Sequence, residues 1–184
     1  MGLTVISGKR GMGKSVLLTR KLYYDAKRGY RIYANYVLRF PYQAISLDEM
    51  MTHDLDLQNA SIGIDEAQLY FDCRCSGTKR NRIFSYIMLQ SRKRHCNITL
   101  CTQQLGNVDL RIERNMDYWD ICTALVYDET GRYLRPATAE DTDAHHIDAI
   151  KVDLYDMGSE SHKQMIFNPK PWFKFFDSDE FQTL

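Results

Sequence analysis

Three segments of the chain bring together residue types suited to handling a triphosphate. Gly8-Lys9-Arg10-Gly11-Met12-Gly13-Lys14-Ser15, followed by Val16, fits the pattern G-x-x-x-x-G-K-S/T. Glycines in such a turn let the backbone curl until successive amide hydrogens face phosphate oxygens, and the helix that follows adds its positive end. Lys14 is then expected on the β- and γ-phosphates and the Ser15 hydroxyl on Mg²⁺, which makes ATP and Mg²⁺ the expected ligands. About fifty residues on, Ser61-Ile62-Gly63-Ile64-Asp65-Glu66 is an apolar run ending in two carboxylates. Asp65 is placed to hold Mg²⁺ through water, and Glu66 to polarise the water that attacks the γ-phosphate. Phosphoryl transfer asks for in-line positioning and charge stabilisation, so a metal-holding acid beside a base suffices.

The third segment is Thr102-Gln103-Gln104, at the end of a further apolar run. In parallel α/β sheets the carboxyl ends of the strands line the ligand crevice. Gln103 is expected to face the γ-phosphate, its amide donating to phosphate and accepting from the water. Arg111 and Arg114 follow in Val108-Asp109-Leu110-Arg111-Ile112-Glu113-Arg114-Asn115. One of them could stabilise transition-state charge in a neighbouring subunit, as an arginine finger does, or either could be a surface ion-pair residue. Arg92 and Arg94 are weaker candidates for the same role.

These residues need elements to hold them. Leu3–Ser7 reads as a buried parallel strand, and Lys14–Arg28 as a helix with Val16, Leu17, Leu22 and Tyr23 at helical spacing, stopped by Gly29. Further strands are predicted over Arg31–Asn35, Ala60–Asp65, Ile98–Thr102 and Tyr118–Tyr127. Short and long helices are predicted over Leu47–Met51 and Asn81–Lys93. After the turn signal Asp128-Glu129-Thr130-Gly131 the pattern becomes antiparallel, with strands near Tyr133–Ala139, Ile147–Asp156 and Lys163–Phe167. Trp172, Phe173, Phe175, Phe176 and Phe181 close the chain and should dock on their own domain or a neighbour. The expected organisation is one domain over 1–184: a nucleotide-binding core over 1–127, then a β-hairpin extension and aromatic tail over 128–184.

Composition narrows the classes. Hydrophobic residues make up 44% and charged residues 26% of the 184, which excludes disorder, collagen and coiled coil. Apolar runs such as Ile121–Tyr127 fall far short of the ~20 residues of a membrane helix, and no leader opens the chain. Five cysteines, odd in number and irregularly spaced, point to a reducing compartment. The expectation is a soluble, cytoplasmic domain with no transmembrane segment. Cys73 and Cys75, with Cys96 beside His95, do not make a zinc pattern; Cys101 and Cys122 read as core thiols, and His145-His146 as a strand edge.

Lys plus Arg equals Asp plus Glu at 24 each, yet residues 1–50 carry +6 (nine basic, three acidic), 73–95 carry +7 with no acid, and 137–184 carry −6 (four basic, ten acidic). A neutral chain can still present a basic face to a polyanion. Tyr70 and Phe71 read as core.

The combination of Gly8–Ser15, Ile62–Gln68 and Ser91–His95 running through Ile98–Gln103 to Val108–Arg114 resembles the FtsK–HerA branch of P-loop ATPases. Within it, the chain looks most like Zot-like proteins and the genome-packaging ATPases of archaeal viruses and membrane-containing phages. The likeness covers roughly residues 2–127. It implies an α/β fold of the RecA/ASCE-like P-loop NTPase type, a parallel sheet flanked by helices, with the antiparallel C-terminal extension added. It implies an ATP-driven homo-oligomer, expected as a hexameric ring, moving double-stranded DNA through its centre. In such a ring Arg74, Lys79, Arg80 and Arg82 would follow DNA phosphates. A packaging role, with capsid or membrane proteins of a virion as partners and the host cytoplasm or the virion as location, is expected over extrusion, because Zot-like assembly proteins usually add a membrane segment and a further domain. The competing classes are an ATP-dependent assembly scaffold and a small-molecule kinase; the Asp65-Glu66 pair with Gln103 fits water attack better than transfer to an acceptor. A GTP switch is disfavoured, since no Asn-Lys-x-Asp motif is present.

Overall fold

The computed structural model describes residues 2–45, 57–71, 93–143 and 146–177. The expected helix over 47–51, nearly all of that over 81–93, Cys73, Cys75, Arg74, Lys79, Arg80, Arg82, Arg92, His145 and Phe181 lie outside the described residues. Six strands run parallel: β1 (Leu3–Ser7), β2 (Arg31–Ala34), β3 (Gln43–Ala44), β4 (Ala60–Ile64), β5 (Asn97–Thr102) and β6 (Tyr118–Tyr127). Three more, β7 (Leu134–Pro136), β8 (Ala149–Asp156) and β9 (Ser161–Phe167), are antiparallel. Among the described residues they form one sheet in the order β3-β2-β4-β5-β1-β6-β8-β9, with β7 also on β6. The helices described are α1 (Lys14–Lys27), α2 (Leu110–Asn115) and α3 (Ala139–Asp143).

Strands β1 and β4 are buried along their whole length, which is why they carry no charged residue and only the small polar Thr4, Ser7 and Ser61 among their apolar ones. Leu3 and Val5 face one core cluster with Ile62, Ile98 and Leu100; Ile6 faces the other, under α1, with Leu17, Leu18 and Leu22. α1 approaches β4 closely at Gly63, where an added Cβ would stand 2.6 Å from Leu22 Cδ1. A side chain there would force the helix off the sheet.

Register decides where the strands end. Ser7 pairs with Thr102 and Ile64 with Leu100. The next residues along β1, β4 and β5, namely Gly8, Asp65 and Gln103, therefore emerge at one edge. Because β5 lies between β1 and β4, the two acids come off the strand one removed from the glycine-rich turn.

β6 is the hinge of the architecture, parallel to β1 on one side and antiparallel to β8 on the other. The strand expected over Tyr133–Ala139 is cut short at Pro136. Thr138 and Asp141 cap α3 reciprocally: Thr138 N donates to Asp141 Oδ2 at 2.8 Å and Asp141 N to Thr138 Oγ1 at 3.4 Å. This capping box ends the strand and starts a helix that period-two reasoning missed. His146 is exposed in the loop before β8, 3.4 Å from Asp148, and not on a strand edge. Cys96, Cys101 and Cys122 are buried free thiols; burial pushes Cys96 and Cys122 up to about 12, so they pack as apolar groups.

The aromatic tail docks on its own fold. Trp172 and Phe175 pack against Tyr23 of α1, with ring centroids 5.6 and 4.8 Å away. The Arg20 guanidinium lies over the rings of Tyr24, Phe167 and Trp172. Arg39 N donates to the Phe175 carbonyl at 2.8 Å, so the tail ties α1 to the segment after β2. No helix of the described residues is long and apolar enough to cross a membrane.

Candidate nucleotide site

The turn after β1 has positive φ at Gly8, Gly11 and Gly13. At Gly13, with φ 84°, a Cβ would also collide with Ile150 Cδ1 of β8, so both conformation and space require glycine. Among the described residues no side chain caps the amino end of α1, and no acid stands in its first turn. The first amides of a 14-residue helix are thus left for an outside acceptor beside the positive end of the dipole. Lys9, Arg10 and Gly11 are exposed on the turn, while Met12 packs inward and Val16 is buried. Lys14 is only 6% exposed, and its Nζ donates to the Lys9 carbonyl at 3.0 Å. That contact folds the ammonium back along the turn and holds it beside the amides.

Ser15, next on α1, donates from Oγ to Asp65 Oδ2 at 2.5 Å. The other Asp65 oxygen, Oδ1, accepts from Glu66 N at 2.9 Å. Asn35, at the end of β2, clamps the same residue: its Oδ1 accepts from Asp65 N at 2.8 Å and its Nδ2 donates to Asp65 O at 2.9 Å. Burial raises Asp65 above the usual carboxylate range, against the lowering effect of the Ser15 and Glu66 hydrogen bonds. A carboxylate held this way is short of positive charge. Together with the Ser15 hydroxyl it forms a pair of hard oxygen donors of the kind Mg²⁺ takes. The residues present fit that ion: Ser15 and Asp65 would hold it, and it would neutralise charge on the phosphates.

Glu66 sits in the left-handed region, at φ 48° and ψ 46°. For a glutamate this conformation costs of order 1–3 kcal/mol and persists only where the surroundings over-determine it. The Asn35 clamp on one side and the short 3₁₀ turn Ala67–Leu69 on the other supply that constraint. The Glu66 side chain is half-buried, and its Oε2 accepts from Gln68 Nε2. Gln103 is exposed at the end of β5, one residue past the Thr102 that pairs with Ser7. The structure therefore brings Gly8–Val16, Asp65, Glu66 and Gln103 to one edge of the sheet.

The arginines separate. Asp109 caps α2 and is 3% exposed; Arg111 makes a two-pronged pair with it, Nε to Oδ1 at 3.0 Å and a terminal nitrogen to Oδ2 at 2.8 Å. Arg114, one turn on, is exposed and makes no ion pair with a described residue. Arg94 lies at the opposite edge, where its carbonyl accepts from Asn59 N at 3.1 Å, ahead of β4. Sequence reasoning missed Asn35 and gave Gln68 no role. The signal available for Asn35 was a polar residue closing a strand of a parallel sheet.

With this geometry in view, comparison with solved structures gives the fold. The chain is similar to the N-terminal domain of the zonular occludens toxin from Neisseria meningitidis, at 13% identity and TM-score 0.65, over 96% of this chain and 98% of that one. It is also similar to the genome-packaging NTPase B204 of Sulfolobus turreted icosahedral virus 2, in a sulfate complex, at 17% identity and TM-score 0.57, over 89% of this chain and 94% of that one. A third likeness is to the cytoplasmic domain of the type VII secretion ATPase EccC from Thermomonospora curvata, at 10% identity and TM-score 0.55, covering 91% of this chain but 24% of that one. No protein-family model and no curated protein matches the sequence. The fold is that of the P-loop NTPases, and the resemblance to Zot and to viral packaging ATPases holds at the level of structure.

Proposed function

We propose that the chain is an ATP-hydrolysing motor that moves double-stranded DNA, working as a homo-oligomeric ring, most simply a hexamer, that packages a viral genome. The observation that carries the catalytic part is the Ser15–Asp65 hydrogen bond, 2.5 Å long and spanning 50 residues, with Glu66 next in the chain. In this reading the amides from Gly8 to Val16 and the Lys14 ammonium bind the triphosphate, and Ser15 and Asp65 hold Mg²⁺. Glu66 accepts a proton from water as the water oxygen bonds to the γ-phosphorus; the bond to the bridging β–γ oxygen breaks and ADP leaves with those electrons. Gln103 reads the γ-phosphate. Arg114 is the arginine offered to a neighbouring subunit, because Arg111 is already engaged by Asp109.

The likeness to B204, a genome-packaging NTPase, supports the DNA-moving part. So does the +7 charge of residues 73–95, in which Arg74, Lys79, Arg80 and Arg82 would track phosphates without reading bases. Capsid or membrane proteins of a virion are the partners this role implies, and host cytoplasm or the virion its location. A slowly hydrolysing assembly scaffold is the second reading, favoured by the near-complete overlay on the zonular occludens toxin domain.

The test is steady-state ATP hydrolysis by the purified protein with and without long double-stranded DNA at low salt. Stimulation that fades as salt rises is expected of the motor. Hydrolysis indifferent to DNA supports the scaffold, and ADP formed only when a small acceptor is added, with the phosphoryl group appearing on that acceptor, indicates a kinase.

A further inference from the structure

We propose that Gln68 is a positioning residue that holds the Glu66 carboxylate in place for the attacking water. The inference rests on the hydrolytic reading above. A carboxylate only accepts hydrogen bonds, so the amide face turned toward Glu66 Oε2 must be the donating one, Nε2. That fixes the other face. Gln68 Oε1 then points away as an acceptor, and it is buried without a hydrogen-bond partner among the described residues.

A buried acceptor that no water-sized donor reaches costs about 1–3 kcal/mol, a cost the amide bears in keeping its donating face on Glu66. The placement is held from behind: Glu66 is fixed in its left-handed backbone conformation, and the turn carrying Gln68 closes through Leu69 N donating to the Glu66 carbonyl at 2.9 Å. Acid and amide therefore move as a unit. During the reaction the water's proton passes to Glu66 while Gln68 keeps its own protons, so Gln68 orients and does not exchange.

The experiment compares wild type, Glu66→Gln, Gln68→Leu and Gln68→Glu, measuring kcat and KM for ATP and the affinity for a fluorescent ATP analogue. Gln68→Leu is expected to lower kcat about tenfold or more with nucleotide affinity within about twofold of wild type. Gln68→Glu removes the donor and adds a negative charge beside Glu66. Both changes loosen the hold on the Glu66 carboxylate, so kcat should fall at least as far as in Gln68→Leu.

If wild type does not hydrolyse ATP, or if Glu66→Gln hydrolyses normally, the hydrolytic reading itself fails. If Glu66→Gln is inactive while both Gln68 variants keep wild-type kcat, the role of Gln68 is overturned and the reading stands. Loss of analogue affinity together with kcat in the Gln68 variants would make the residue merely structural and would also overturn the proposal.

Discussion

Ser15 and Asp65, 50 residues apart in the chain, share a hydrogen bond of 2.5 Å. The contact exists because β5 is inserted between the strand that feeds the glycine-rich turn and the strand that carries the acids. The start of α1 then leans across β5 to meet the end of β4. It is also the point where stability and function pull apart, since burial raises Asp65 while the bound ion would need it charged.

Asp65→Asn is therefore expected to stabilise the nucleotide-free protein and abolish Mg²⁺-dependent hydrolysis. A carboxyl whose folded value is raised contributes stability that is complete below its unfolded value and lost as pH rises through the folded one. At pH 7 wild type bears that cost and the amide does not. Melting followed by circular dichroism should show a Tm above that of wild type at pH 7. The difference should shrink as the pH is lowered through the raised Asp65 range. A Tm below wild type at pH 7 would refute the account.

The two arginines of α2 should fail in different ways. Arg111→Ala removes the partner of the Asp109 cap and should cost about 1 kcal/mol, since Arg111 is 37% exposed and solvent screens the pair. Arg114→Ala should leave Tm unchanged and lower hydrolysis about 10³-fold. Mixing Arg114→Ala with Glu66→Gln protein should recover activity, because a mixed oligomer can assemble one intact site from two defective chains. Hydrolysis by Arg114→Ala at the wild-type rate would remove it from the site.

Trp172→Ala tests the tail. The indole packs on Tyr23, Tyr24 and Phe175 and under Arg20, but it is half-buried, so the loss should be about 1–3 kcal/mol, below that of a fully buried aromatic. Calorimetry should record a Tm lower by roughly 2–12 °C. An unchanged Tm would show that the tail contributes nothing to holding α1.

Much of this protein was legible without coordinates, for local reasons. The glycine spacing of Gly8, Gly11 and Gly13 declares a turn that only glycine can make, and the uncharged runs of apolar and small polar residues in β1, β4 and β5 declare strands buried on both faces. The end of each run locates Lys14, Asp65 and Gln103. Tyr118–Tyr127 was bounded to the residue, because its flanks carry clear turn signals. What the sequence could not carry are relations between segments. The insertion of β5, the Asn35 clamp and the left-handed Glu66 depend on which strands become neighbours, and pairing is decided by burial of whole faces, not by local propensity. The engagement of Arg111 but not Arg114 depends on a cap whose acid lies two residues back, a difference that spacing alone could not rank. The aromatic tail was recognisable as something that must be buried. Only tertiary packing chose α1 as its partner, since apolar burial is non-directional and any exposed apolar face would have served.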